Sequence, residues 1–233
     1  MDEMNDSRTQ EIAISLAEVR ERIRVASISA QRAEPTLIVV TKTWPADDAR
    51  RLASLGVTDV GENRDQEAAP KFDATADLAL RWHMVGQLQR NKAKHVARYA
   101  DVVHALDRPE IVAALDRGAG LAQRRIVGLI QISLDGAEGR GGAAPDSVAA
   151  LADQIANSAH LDLGGVMAVA PLGADPGRAF AELVRIADRL RGDHPGATMI
   201  SAGMSEDLEQ AVAAGATHLR VGSAILGMRS LAR

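Results

Sequence analysis

Eight short apolar runs recur along this chain, each separated from the next by a helix-like segment, and no other feature limits its fold as much. The runs are Leu37–Thr41, Val57–Gly61, Trp82–Gly86, Val102–Leu106, Ile126–Ile132, Gly165–Val169, Thr198–Ala202 and His218–Gly222. Between them lie Asp47–Leu55, Gln66–Phe72, Leu88–Tyr99, Pro109–Ala119, Asp146–Ser158, Pro176–Arg191 and Glu206–Ala214. Near-continuous apolar strands joined through helices belong in a parallel sheet that is covered on its outside. Eight such units predict a closed (β/α)8 barrel of the TIM type, with a doubly wound open sheet as the alternative. Gly56 and Gly215 stand just after helical runs, where a left-handed C-cap favours glycine.

Ahead of the first strand, Ile12, Leu16, Val19, Ile23 and Ala26 form one apolar stripe at helical spacing, and Glu34-Pro35 breaks the chain after it. Residues 1–34 therefore read as an N-terminal helix packing on the barrel, and 35–233 as the barrel, within one domain. Apolar residues make up 46% of the 233 but aromatics only 2%, so aliphatic side chains must fill the core. So few aromatics also leave few stacking platforms for single-stranded nucleic acid. The net charge of −4 gives no general attraction to nucleic acid or anionic lipid. Without cysteine there is no disulfide, thiolate metal site or cysteine nucleophile. Met1 to Asp6 is acidic and polar, with no signal-peptide core after it, and no run approaches the roughly 18 apolar residues that span a bilayer. The expectation is a cytoplasmic protein with no membrane or nucleic-acid partner.

In a barrel, chemistry collects at the C-terminal ends of the strands. Lys42 ends the first. Of 27 cationic residues only Lys42, Lys71, Lys92 and Lys94 are lysine, so its place there stands out. A buried ammonium is costly unless paired, and burial frees the amine as a nucleophile for Schiff-base chemistry. The plainer expectation is a snorkelling lysine neutralised by a carboxylate such as Glu62. Gly61-Glu62-Asn63 ends the second strand, His83 lies in the third, and Asp107-Arg108 and Gln131-Ile132-Ser133 end the fourth and fifth. Ser201-Ala202-Gly203 and Gly222-Ser223 occupy the loops after the seventh and eighth, where barrels often bind phosphate and where ordinary capping turns are the other reading.

Arg220 stands between Leu219 and Val221, so its guanidinium needs an acceptor, either a rim carboxylate or a ligand atom. His83 beside Trp82 reads first as a hydrogen-bonded core residue. Arg90, Lys92, Lys94, His95 and Arg98 read as a solvated helical face. His104, His160 and His194 read as isolated, with no cluster at metal-ligand spacing.

Val40-Thr41-Lys42-Thr43, Gly61-Glu62-Asn63, His83-Met84-Val85-Gly86-Gln87-Leu88-Gln89-Arg90-Asn91-Lys92, Ser201-Ala202-Gly203-Met204-Ser205 and Arg220-Val221-Gly222-Ser223 follow one another in order. Together they resemble the pyridoxal phosphate (PLP) homeostasis proteins, single-domain relatives of the alanine racemase N-terminal barrel. The resemblance implies PLP held as an internal aldimine on Lys42, with Arg220 facing the pyridine nitrogen. It implies Ser201, Gly222 and Ser223 at the phosphate, Asn63, His83 and Met204 lining the ring, and Ser205 as a further contact. The chain departs from the family at Gln131-Ile132-Ser133 and in the Glu138–Gly142 loop.

The resemblance further implies intracellular PLP homeostasis without established catalysis, with PLP-dependent apoenzymes as candidates to receive the cofactor and a monomeric chain. An arginine facing the ring nitrogen weakens the ring as an electron sink. The one tyrosine, Tyr99, falls on an outer helix, away from where a racemase needs its second acid/base. A low-activity fold-type III PLP enzyme of the racemase type is the alternative. A Schiff-base aldolase acting on a phosphorylated sugar is the third reading.

Overall fold

A computed structural model describes residues 2–136 and 141–228, with side chains from Ser7 onward. Of the Glu138–Gly142 loop, residues 138–140 lie outside the described residues. Eight parallel strands close into a barrel in chain order: β1 Thr36–Val40, β2 Asp59–Glu62, β3 Arg81–Met84, β4 Val102–Leu106, β5 Ile126–Gln131, β6 Leu161–Met167, β7 Met199–Ser201 and β8 His218–Val221. The closed barrel, not the open sheet, is the architecture. The helices are α1 Asp2–Ala30, α2 Ala46–Ser54, α3 Asp65–Ala74, α4 Ala93–Val96, α5 Pro109–Leu121, α6 Val148–Ala156, α7 Pro176–Asp193, α8 Leu208–Ala214 and α9 Ser223–Leu226.

Several element ends shift by one or two residues, and two differences from the sequence reading have clear physical reasons. The continuous helix expected over Leu88–Tyr99 is a 3-10 turn at Arg90–Lys92, the short α4, and tightened turns closed by Arg98 N to His95 O and Tyr99 N to Val96 O. α5 presses backbone to backbone on it, since a Cβ at Gly118 would lie 2.9 Å from Lys94 Cα. β6 starts four residues before the apolar run, because Gly164 and Gly165 interrupt the hydrophobic signal. Gly165 is required there: its φ is +145°, and a Cβ would lie 2.0 Å from Met199 O.

Strand alternation divides the core. Val39, Val60, Trp82, Val103, Ile130 and Leu219 face the helices in the main apolar layer. Val102, Leu129 and Met167, with Val127 and Met199, fill one part of the barrel interior. α1 packs its buried stripe of Ile12, Leu16, Val19 and Ile23 across the barrel's outer helices. Burying each such side chain contributes about 1.5–3 kcal/mol. The half-exposed Arg22–Glu209 pair to α8, 2.7 Å apart, contributes under about 1 kcal/mol, so the stripe dominates. No helix among the described residues is long and apolar enough to cross a membrane.

Candidate functional site

Parallel strands put all eight C-terminal ends on one rim. β1 stops at Val40, and Thr41 is the last buried residue before the chain turns out. Thr41 is pinned at three points. Its amide donates to Gly61 O (2.9 Å), its hydroxyl donates to Glu62 Oε1 (2.5 Å), and its carbonyl accepts from Lys71 Nζ (2.7 Å). On the other side Thr43 takes φ +67°, rare for a β-branched residue, and its amide donates to Glu67 Oε2 at 2.7 Å. Lys42 is held between these two anchors.

Lys42 itself is exposed, and among the described residues no hydrogen-bond or ion-pair partner engages its ammonium. Lys42 is therefore not the buried ammonium that the Schiff-base reading expected, and Glu62 does not neutralise it as the snorkelling reading expected. The buried lysine is Lys71, 7% exposed, and it takes Glu62 at 2.5 Å. The reason is length: the strand ends two residues before Lys42, so its side chain clears the core. Burial pushes the Glu62 carboxyl up despite the Lys71 ammonium and the Thr41 hydroxyl, and its Oε2 has no partner.

Arg220 lies inside β8, 4% exposed. Its Nη1 donates to Ser201 Oγ at 2.6 Å and its Nη2 to Ala168 O at 2.9 Å. No carboxylate pairs with it among the described residues, so of the two expected acceptors the rim ion pair is absent. Burial lowers its pKa to about 10, with the Asp207 charge acting the other way, and it remains cationic at neutral pH.

Ser201, the last residue of β7, is fully buried, and its hydroxyl also meets His104 Nδ1 at 3.0 Å. Its oxygen accepts from Arg220 and lies within hydrogen-bond distance of His104. His83 is 1% exposed, and both ring nitrogens are engaged, Nδ1 by His104 at 2.9 Å and Nε2 by Asp59 at 2.8 Å. His104 is not isolated, and Asp59 was not among the expected site residues. The missed signal was that inward positions on neighbouring strands carry imidazoles.

The loops after β7 and β8 are tied together. Ser223 Oγ donates to Ser205 Oγ at 3.1 Å, and the Ala224 amide donates to the same oxygen at 3.2 Å. Gly222 abuts the end of β1, since a Cβ there would lie 3.0 Å from Val40 O. Met204 is 39% exposed on the rim, its amide held by Asp207 Oδ1 at 2.6 Å. Asn63 is half-buried after β2, its carbonyl hard against Gly86 of the neighbouring loop. Among the described residues no hydrogen bond joins the side chains of Lys42, Asn63 or Met204 to the rest of the set. Elsewhere on the same rim, after β4 and β5, the Gly142 amide donates to Asp107 Oδ2 (3.2 Å) and Gln131 Nε2 to Gly141 O (2.8 Å). In the basic stretch, Lys92 and His95 face Asp65, while Arg90, Lys94 and Arg98 are exposed.

Residues 14–230 match the family model described as alanine racemase, N-terminal domain. The pyridoxal phosphate homeostasis protein of Mycobacterium leprae (strain TN) is 40% identical over 97% of this chain and 95% of its own length. The chain belongs to the pyridoxal phosphate homeostasis protein family. The family's member from Escherichia coli (strain K12) is 34% identical over 99% of this chain and all of its own. PipY of Synechococcus elongatus PCC7942, solved with PLP bound, is 33% identical, with a TM-score of 0.81 over 93% of this chain and 100% of that one. Alanine racemase from Corynebacterium glutamicum shares the fold alone, at 14% identity and a TM-score of 0.69 over 97% of this chain and 64% of that one.

Proposed function

We propose that this chain binds pyridoxal 5'-phosphate at the C-terminal mouth of its barrel and serves intracellular PLP homeostasis, with Lys42 as the covalent anchor. The observation that carries the reading is the donor set of Arg220. A guanidinium has five N–H donors, and the protein uses two, leaving three on a nearly buried group with no paired carboxylate. That suits a neutral acceptor such as an unprotonated pyridine nitrogen. At the rim, Ser205 Oγ accepts from Ser223 and Ala224, which leaves its own proton to donate to a phosphate oxygen. Gly222 provides a close backbone approach that a side chain would fill. Lys42 supplies an exposed, unpaired amine between two anchored residues. Asn63 and Met204 flank the mouth. Ser201 and His83 act behind Arg220 and do not touch the ligand.

When bound, the cofactor supplies a reactive aldehyde and an electron-withdrawing ring. Arg220 keeps its proton, which keeps that ring a weak electron sink. Tyr99 is buried and donates to Asp65 Oδ1 at 3.3 Å, and burial holds its hydroxyl protonated, so it offers no acid/base at the mouth. Both features favour holding the cofactor over turning over amino acids, against the racemase-like reading. The same proposal has the chain act in the cytoplasm as a monomer, with PLP-dependent apoenzymes receiving the cofactor.

The test is an absorbance spectrum with and without added PLP, before and after borohydride, followed by peptide mapping. A reduced label on Lys42 is the expected result. No label, or label spread over Lys71, Lys92 and Lys94, would overturn the site. Alanine racemisation above a Lys42→Ala control would favour the enzyme reading instead.

A further inference from the structure

A continuous chain of hydrogen bonds crosses the barrel interior below the mouth. It runs from Arg220 Nη1 to Ser201 Oγ (2.6 Å), to His104 Nδ1 (3.0 Å), from His104 Nε2 to His83 Nδ1 (2.9 Å), and from His83 Nε2 to Asp59 Oδ1 (2.8 Å). Asp59 opens β2 at the opposite end of the barrel, and its second oxygen accepts from Thr58 Oγ1 at 2.7 Å. Five residues from five strands thus join end to end.

The ends dictate the direction. A guanidinium only donates and an ionised carboxylate only accepts. Ser201 therefore passes its proton to His104 Nδ1, His104 carries its proton on Nε2, and His83 does the same. Each imidazole is then neutral and satisfied on both sides. The reverse polarity would leave a bare His83 nitrogen against the Asp59 carboxylate unless His83 became an imidazolium. Burial, the largest influence at both rings, opposes that; Arg81 adds to it at His83 and the charges of His83, Arg220, His218 and Arg81 add to it at His104, while the bond and charge of Asp59 and the charge of Asp101 act the other way at His83. At Asp59 burial is the largest influence and raises the pKa, but the bonds from His83 and Thr58 together outweigh it and hold the group ionised.

We propose that Ser201, His104, His83 and Asp59 form a single-polarity relay that fixes the Arg220 guanidinium through a neutral hydroxyl and sets its one carboxylate, Asp59, at the far end of the barrel. A carboxylate paired directly with Arg220 would consume donors that the protein otherwise leaves unused. Asp207, the charge that acts on Arg220 at longer range, makes no hydrogen bond to it, and its Oδ1 holds the Met204 amide. Through the relay the guanidinium is held by a neutral hydroxyl, and the protein uses only two of its five donors. These four are positioning residues. What they serve rests on the PLP reading, whereas the relay itself does not.

Nitrogen-15 NMR of the histidines in the cofactor-free full chain tests it. His83 and His104 are both expected as Nε2–H tautomers that do not titrate where an ordinary histidine does. In Asp59→Asn the ring nitrogens of His104, which Asp59 does not touch, are expected to shift together with those of His83. An Nδ1–H tautomer at either ring, ordinary titration, or a shift confined to His83 would overturn the relay. Should the variant not fold, the wild-type tautomers decide alone. The experiment needs no PLP, so it fails or succeeds independently of the Lys42 labelling.

Discussion

The buried ammonium of Lys71 donates to the carbonyl of Thr41 at 2.7 Å, one residue before Lys42. The two lysines divide the work: one is spent inside the protein to hold the backbone, and the other is left exposed and unpaired. Because Lys71 also holds Glu62 at 2.5 Å, removing it strands a carboxylate that is 1% exposed. Lys71→Met should destabilise the chain by about 3–5 kcal/mol, the usual cost of leaving one partner of a buried pair. Adding Glu62→Leu should recover most of that loss. Urea unfolding of the two single variants and the double one measures it, and additive losses would show that the pair is not coupled.

Lys42 should behave in the opposite way. It is exposed and makes no hydrogen bond or ion pair among the described residues, so Lys42→Ala should change stability by no more than about 0.5 kcal/mol. The same variant should lose all borohydride-trapped PLP. Mass spectrometry of the reduced protein, paired with its urea midpoint, separates the two effects. A large stability loss would mean that Lys42 is a structural residue after all.

Acid should weaken the fold through its buried imidazoles. Burial, followed by the charges of His83 and Arg81, lowers His218 to about 4, and His83 and His104 are lowered in the same direction. Between the folded and unfolded pKa values the unfolded chain binds more protons, so stability rises with pH there. The contribution of His218 is full above the unfolded value of about 6.5 and is lost as pH falls from there through about 4, at up to about 1.4 kcal/mol per pH unit, and His83 and His104 lose theirs in the same direction. Glu62, whose pKa is raised, has the opposite sign: its contribution is full below its usual range and fades as pH rises. Urea midpoints between pH 7 and about 4.5 should fall steadily toward acid, and a flat profile would contradict the buried neutral rings.

Gly165→Ala should be among the most damaging small substitutions. The new Cβ would lie 2.0 Å from Met199 O, at a φ that side chains rarely adopt. A loss of more than about 3 kcal/mol, or no folded protein, is expected, compared with under about 1 kcal/mol for Gly196→Ala, where nothing lies within 4 Å. Thermal unfolding of the two variants side by side gives the comparison.

The eight-fold alternation, the closed barrel and the rim positions of Lys42, Asn63, Met204, Gly222 and Ser223 were legible in the sequence alone. Each rests on local signals: apolar runs, helical stripes, and a topology that puts every strand end on one side. Ordering of the site was not legible. That Glu62 belongs to Lys71, that Ser201 supports Arg220, and that His83 and His104 meet are pairings across the barrel. His104 and Ser201 stand 97 residues apart in the chain. Which buried donor finds which acceptor depends on strand register and on how far each strand runs before it turns out, and only the assembled barrel sets these.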